Sequence, residues 1–285
     1  MVKKSIDRSL IRKPAVAGSF YPSDSVELSK MIAGFLSKVT KKGFGDRLVS
    51  LIAPHAGYVY SGLVAAHAYK ELEGLDYDTV FVISPSHSAY FRGASVYNGG
   101  AYQTPLGEVP TDVESAEQLA SLSKVVELSD AGHSSEYGRG EHALEVQLPF
   151  LQIVLGDVKL VPIVMGEQDL TTSEALGKSI AVVASGKRAL IVASSDLSHF
   201  HPSEAAERLD QVVIDDFNGF DHRLLAGDLA RGRAEACGGG PMVAAMTASK
   251  ELGATRCETI KYAHSGHVSG DYSSVVGYMA GVIYK

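Results

Sequence analysis

Leu48–Gly62 reads LVSLIAPHAGYVYSG. Its first part, LVSLIAP, is short and almost wholly apolar. A run of that length without alternation predicts a strand covered on both faces, as in a parallel sheet. Pro54 and His55 end the run, Gly57 and two tyrosines follow, and the Ala-rich SGLVAAHAYKEL has helical character. Strand, small-residue turn and helix make one α/β unit, and the pattern recurs. DTVFVISP is a second buried strand. VKLVPIVMG precedes the helical LTTSEALGKSIAVVAS, and RALIVASSD precedes the helical SEAAERLDQVVIDDFNGF. The fold class is therefore α/β: a central, mostly parallel or mixed sheet with helices on both faces. We expect residues 1–285 to form a single domain, since no linker or repeat divides them.

The remaining segments complete the pattern. SDSVELSKMIAGFLSKV opens on Ser/Asp and keeps helical spacing, and TDVESAEQLASL has a Thr/Asp cap. SVYNGGAYQTPLGEVP, Ser95–Pro110, suggests a hairpin turning at Asn-Gly-Gly. EHALEVQLPFLQIVL is expected to be a helix kinked at Pro149. PMVAAMTASKELG begins a helix with Pro241 in its first turn. TRCETIKYA and SSVVGYMAGVIYK are strands, the last expected to pair into the sheet.

Composition removes several function classes. The chain has 285 residues, 45% hydrophobic, with a net charge of -7. No basic block beyond short lysine pairs stands out, which argues against nucleic acid as a partner. No apolar run approaches the roughly 20 residues that span a bilayer, and the N-terminal stretch lacks a signal-peptide core. Two cysteines in so long a chain fit a reducing, cytoplasmic setting.

Ligands of open α/β sheets bind beyond the carboxyl ends of the strands. His55 follows the first buried strand, His87 the second, and Asp196 and His199 the RALIVAS strand. One histidine at a strand end is usually a hydrogen-bonded structural residue; several on the same edge point to a ligand set. Neutral imidazole is the commonest protein metal ligand, and His55 and His87 can converge on one ion. The third ligand has two candidates. Asp196 gives a two-histidine, one-carboxylate set; Cys237, in AEACGGGPM before a helix, gives two nitrogens and a sulfur. A helix N-terminus is expected to lower the Cys237 pKa toward the thiolate. Cys257 alternates with apolar residues and is assigned to the core. His142 in GEHALEVQ either lines the cleft or begins a helix. His67 is packing, His201 and His222 are surface, and His264 and His267 flank a glycine in a loop. Neither NGG nor GGG fits a phosphate-binding register, and no G-x-S-x-G elbow occurs. Gly57 turns the chain away from the site, and Tyr58 and Tyr60 are expected to wall it.

VAGSFYP, APHAGYVYSG, SPSHS, TPLGEV, EHALEVQLPFL, SSDLSHF and CGGGP occur in this order along nearly the whole chain. Together they closely resemble the Memo family, whose prokaryotic members are called AmmeMemoRadiSam system protein B. The resemblance implies a fold like that of class III extradiol dioxygenases, non-haem iron(II) enzymes with a two-histidine, one-carboxylate site. It implies His55, His87 and Cys237 as metal ligands for one iron(II) or copper ion per chain, with Cys237 in the carboxylate's place. It implies His199 as the acid–base histidine with Asp196 beside it orienting the ring, and Phe20 and Tyr60 as pocket residues, to which His142 is added. Copper- or iron-dependent oxidation with dioxygen is the activity implied. The alternative is a non-catalytic module binding a peptide or small molecule in the same cleft. The family name also implies radical-SAM-linked partner proteins. Animal members, described as phosphopeptide-binding, carry Gly-Arg-His-Pro after the cysteine. Here Gly238, Gly239, Gly240 and Pro241 stand there, which removes two phosphate-binding side chains and leaves the metal set intact.

Overall fold

A computed structural model describes residues 6–133 and 140–285. Along the chain run β1 (Asp7–Arg12), α1 (Ser25–Leu36), β2 (Leu48–Ala53), α2 (Tyr58–Lys70), β3 (Thr79–Pro85), β4 (Ala94–Val96), β5 (Gly99–Thr104), β6 (Gly107–Pro110), α3 (Val113–Leu122) and β7 (Val126–Leu128). Then come α4 (Leu148–Leu155), β8 (Lys159–Met165), α5 (Leu170–Ala184), β9 (Ala189–Ser194), β10 (Asp196–His201), α6 (Ser203–Asn218), α7 (His222–Ala230), α8 (Gly239–Glu251), β11 (Arg256–His264), α9 (Gly266–Ser269) and β12 (Val275–Tyr284).

The main sheet has the order β10-β12-β2-β9-β3-β8-β4-β7, with β11 also paired to β12. Its centre, β2-β9-β3-β8, is parallel. β12 runs antiparallel to β2, and β10 and β11 run antiparallel to β12, so the sheet is mixed. Alternate residues of the buried strands feed two cores. Phe81 and Ile83 of β3 join Leu176, Ile180, Val213, Met242 and Met246 of α5, α6 and α8 on one face. Val80 and Val82 join Leu28, Ile32, Val64 and Phe150 of α1, α2 and α4 on the other. Helices therefore cover both faces, the architecture expected from the strand–helix alternation.

Local chemistry explains the helix starts. The side chains of Asp24, Asp112, Asp169 and Asp221 accept from the first free N–H groups of α1, α3, α5 and α7, which removes orphan donors. The final strand is paired on both sides, as expected.

Four local expectations are corrected. The Asn98-Gly99-Gly100 segment does not turn a hairpin: β4 lies in the main sheet, and β5 in a separate sheet with β1 and β6. A Cβ on Gly100 would stand 2.3 Å from the Arg8 carbonyl, so the glycines admit β1. The hairpin turns instead between Thr104 and Gly107. Pro149 starts α4 instead of kinking a longer helix. α2 begins at Tyr58, earlier than its sequence pattern. Finally, Asp196 and His199, expected just beyond the end of the RALIVAS strand, lie in a further strand, β10.

Candidate metal centre

In the sheet, β9 lies between β2 and β3. His55 stands two residues past Ala53, the end of β2, and His87 two past Pro85, the end of β3. Cys237 arrives from the far side, just before α8. Three contacts seat it: its N–H donates to the Asp196 carbonyl at 3.2 Å, Gly238 N–H donates to Ser195 Oγ at 2.9 Å, and the Asp196 N–H donates to Cys237 Sγ at 3.3 Å. A Cβ on Gly238 would lie 2.2 Å from the Ser194 carbonyl, so only glycine permits this approach.

The result is a cluster in which one donor atom each of His55, His87 and Cys237 lies within 4.8 Å of the others. Cys237 Sγ is 3.2 Å from His55 Nε2. His55 is buried, Cys237 half-buried and His87 open to solvent on one side.

Hydrogen-bond accounting fixes how the rings present themselves. Ser194 Oγ donates its proton to the Ala143 carbonyl at 2.7 Å and accepts from Gln147 Nε2 at 2.8 Å. Its contact with His55 Nδ1 at 2.9 Å must therefore be an N–H donation from the ring. That tautomer leaves a lone pair on His55 Nε2, facing Cys237. His87 Nδ1 lies 2.9 Å from Glu141 Oε1, and the His87 backbone N–H donates to the other oxygen of the same carboxylate at 2.5 Å. A carboxylate only accepts, so His87 also carries its proton on Nδ1 and offers Nε2. His55 thus directs its lone pair at the thiol while polar groups hold the Nδ1 atoms of both rings, the arrangement that metal-binding histidines show.

The electrostatics separate the two rings. Burial, with the neighbouring His87 and His142, holds His55 well below the ordinary imidazole range and so neutral. Burial lowers His87 too, but the Glu141 hydrogen bond and charge outweigh it, and its pKa is raised. Glu141 is desolvated, yet its bonds to His87 and Ala143 bring it down to about 2. Burial and the Asp196 carboxylate push the Cys237 thiol up. The expected lowering by the α8 N-terminus does not occur, because desolvation of a thiolate outweighs one helix end. A bound cation would reverse that balance.

The other expected residues divide. Asp196 Oδ1 accepts from the His55 backbone N–H at 2.8 Å, and burial raises its pKa. It supports the cluster from behind and does not orient His199. The ring of His199 donates from Nδ1 to the Leu197 carbonyl at 2.8 Å, leaving Nε2 without a partner among the described residues. His142 stacks on His87 with centroids 4.8 Å apart and meets Phe20 edge-on, also at 4.8 Å. Phe20, His142, His87, Glu141, Ser19 and Ser88 line a cavity of about 520 Å³ beside the cluster. Tyr60 does not line it; it stands half-exposed in the first turn of α2. Tyr58 is not a wall of the site. It is buried, packs on Tyr21 and Phe150, and donates to the Val146 carbonyl at 2.7 Å.

Glu141, Ser194 and Gln147 are functional neighbours that motif spacing alone passes over. The signal for Glu141 was a charged residue directly before His142. Ser194 and Gln147 carried none.

A family model described as Memo-like protein matches residues 12–282. A MEMO1 family protein of Methanocaldococcus jannaschii is 39% identical, over 96% of this chain and 99% of its own. Its counterpart in Methanosarcina mazei is 40% identical, over 96% and 99%. Among solved structures, an uncharacterized Escherichia coli K12 protein matches with a TM-score of 0.52 and 16% identity, covering 84% of this chain and all of its own; that likeness shows the fold alone. With a family model over nearly the whole chain and end-to-end relatives, this chain belongs to the Memo family.

Proposed function

We propose that His55, His87 and Cys237 hold one iron(II) or copper ion per chain and that the protein is an oxidoreductase using dioxygen. One observation carries the metal assignment: two imidazoles whose Nδ1 atoms are tied to Ser194 and Glu141, each with a ring nitrogen within 4.8 Å of a thiol sulfur. Among the donors, sulfur with two imidazoles favours copper(I), zinc or iron(II) over magnesium or calcium. A bound iron or copper ion would supply one-electron redox chemistry. The chain's own residues supply the rest. Glu141 keeps His87 in one orientation, Phe20 and His142 shape the adjoining cavity for a small molecule or peptide end, and His199 Nε2 accepts or returns a proton there. The free thiols fit a cytoplasmic setting, and no helix among the described residues is long and apolar enough to cross a membrane. Partner proteins of a radical-SAM system belong to the same proposal.

A second reading is binding in this cleft without turnover. It is favoured by Asp196 bonding to His55 rather than His199, which leaves the proposed proton carrier without a carboxylate partner.

The test is anaerobic purification, iron(II) or copper(I) reconstitution and elemental analysis of wild type and of Cys237→Ala, His55→Ala and Glu141→Gln, followed by oxygen-consumption assays with catechols, thiols and ascorbate. The two ligand variants should lose metal affinity by tenfold or more, and Glu141→Gln by roughly 10- to 100-fold. Full retention by the ligand variants would remove the metal assignment. Metal retention by wild type without oxygen uptake, in any assay, would favour the binding reading.

A further inference from the structure

Among the described residues, two that are not glycine have positive φ, and both are phenylalanines: Phe200 (63°) and Phe220 (53°). A bulky aromatic side chain is unfavourable in this conformation. At Phe220 the fold offsets the strain. That ring packs on the hydrophobic core, and Lys250 Nζ lies 4.7 Å from its centroid. Phe200 lacks that packing. It is 75% exposed, and among the described residues its ring–ring contact is an edge contact with His199, centroids 5.6 Å apart.

The backbone does require positive φ at Phe200. The β10–β12 ladder shifts register between Asp196 and His199 and again between His199 and His201. Bulges of this kind re-aim side chains beside functional sites. Glycine would meet the same need without strain, and this chain places glycine at positive φ at many other turns. A strained, mostly exposed ring is available for a contact outside the fold. Its position suggests which one. His199 is near enough to His55 and Asp196 to interact electrostatically with both. Tyr272, half-exposed, accepts from the N–H of Ser203, three residues past Phe200, at 3.0 Å.

We propose that Phe200 is a ligand-contacting, specificity-determining residue: its ring forms a wall for an aromatic or flat apolar group of a small molecule whose polar end reaches the His55–His87–Cys237 cluster. This rests on reading the cluster as the ligand site. Continuity with that cluster through His199 favours a small molecule over a protein partner.

The probes are 4-nitrocatechol, which is aromatic, and acetohydroxamate, which is not. Each is titrated anaerobically against iron(II)-loaded and metal-free protein. Phe200→Gly and Phe200→Asn both accept positive φ and lack the ring. They should weaken 4-nitrocatechol about five- to tenfold, the scale of one aromatic contact, with acetohydroxamate binding and iron retention unchanged. Melting temperature should rise or hold. Phe200→Tyr should restore the affinity. Phe220→Gly should lower the melting temperature and leave both probes unaffected. Equal 4-nitrocatechol affinity with and without the ring would overturn the proposal, as would no binding by wild type in either form. So would a Phe200→Gly protein that loses iron or stability, because the ring would then serve the fold. Iron retention by wild type is read separately and bears on the metal assignment alone.

Discussion

His55 and His133 are both buried, at 2% and 0% exposure, yet the fold treats them in opposite ways. His133 has both ring nitrogens engaged by the fold. Nδ1 meets the Tyr102 hydroxyl, and Nε2 meets the Ser95 carbonyl at 3.3 Å. Its own carbonyl accepts from Arg12 Nε at 3.0 Å. Arg12 also bonds Glu145 and the Glu141 carbonyl, while Glu145 accepts from Ala15 N–H at 2.7 Å, Val16 N–H at 3.1 Å and the Tyr21 hydroxyl. That network closes on itself. It fastens β1 and the segment carrying Phe20 to the segment carrying Glu141. His55 has only Nδ1 engaged by such a network; Nε2 faces a thiol and a second uncommitted imidazole. Burial does not mark a functional histidine. A lone pair that the fold leaves uncommitted, at a place where others converge, does.

If the closed network is purely structural, damaging it should cost stability and spare the cluster. Glu145→Gln leaves the Arg12 guanidinium buried without its counter-charge. Breaking a buried ion pair in this way costs about 3–5 kcal/mol. Urea unfolding of metal-free protein should show that loss, while chelator competition on the folded fraction should give wild-type iron(II) affinity. A parallel collapse of iron affinity would mean that the Arg12–Glu141 carbonyl bond carries the network's effect into the cluster, and the two regions would have to be treated as one.

His133 gives the comparison a pH signature. Burial pulls its pKa down to about 3 from an ordinary 6.5. The unfolded chain therefore binds a proton that the folded chain refuses. With the folded pKa depressed, the stabilisation is complete above about pH 6.5 and is lost progressively as pH falls toward about 3. The amount at stake is on the order of 2–4 kcal/mol. His133→Asn should fall below wild type at pH 7 but flatten the decline between pH 6.5 and 4, seen as urea midpoints across that range. An unchanged slope would assign the acid sensitivity to other groups.

What was legible in the sequence followed from local physics. Buried strands such as LVSLIA and TVFVIS are read from length and apolarity, helix starts from Asp caps, and ligands from their place just past strand ends. What escaped depended on packing between distant segments. Gly99 and Gly100 look like a turn, and only the approach of β1 explains them. Tyr58 looks like a site wall because it follows His55 so closely, but the first turn of α2 places it in the core. Asp196–His201 does not read as a strand of its own, and it is the pairing with β12 that makes it one. Ser194 and Gln147 could not be identified from spacing, since their roles lie in bonds to residues about 50 to 140 positions away.

The smallest effect expected is also the one that separates the two candidate third ligands. Asp196 and Cys237 are joined by two contacts, the Cys237 N–H to the Asp196 carbonyl and the Asp196 N–H to the Cys237 sulfur. Asp196 Oδ2 lies 3.9 Å from His55 Nε2, so distance alone does not exclude the carboxylate. Its bonding does separate them. Oδ1 is committed to the His55 N–H, and asparagine is a near-isosteric substitute that still accepts at Oδ1. Asp196→Asn should therefore change copper(I) affinity by no more than about threefold. Cys237→Ser removes the soft donor and should weaken it by at least about tenfold, since changes even to groups behind a ligand reach that size. Competition against a copper(I) chelator measures both, and any thiolate-to-metal charge-transfer band in the copper(II) or iron form should disappear with Cys237→Ser and survive Asp196→Asn. If the ranking reverses, the carboxylate is the ligand, and Cys237 joins His133 among buried groups whose chemistry the fold has already used.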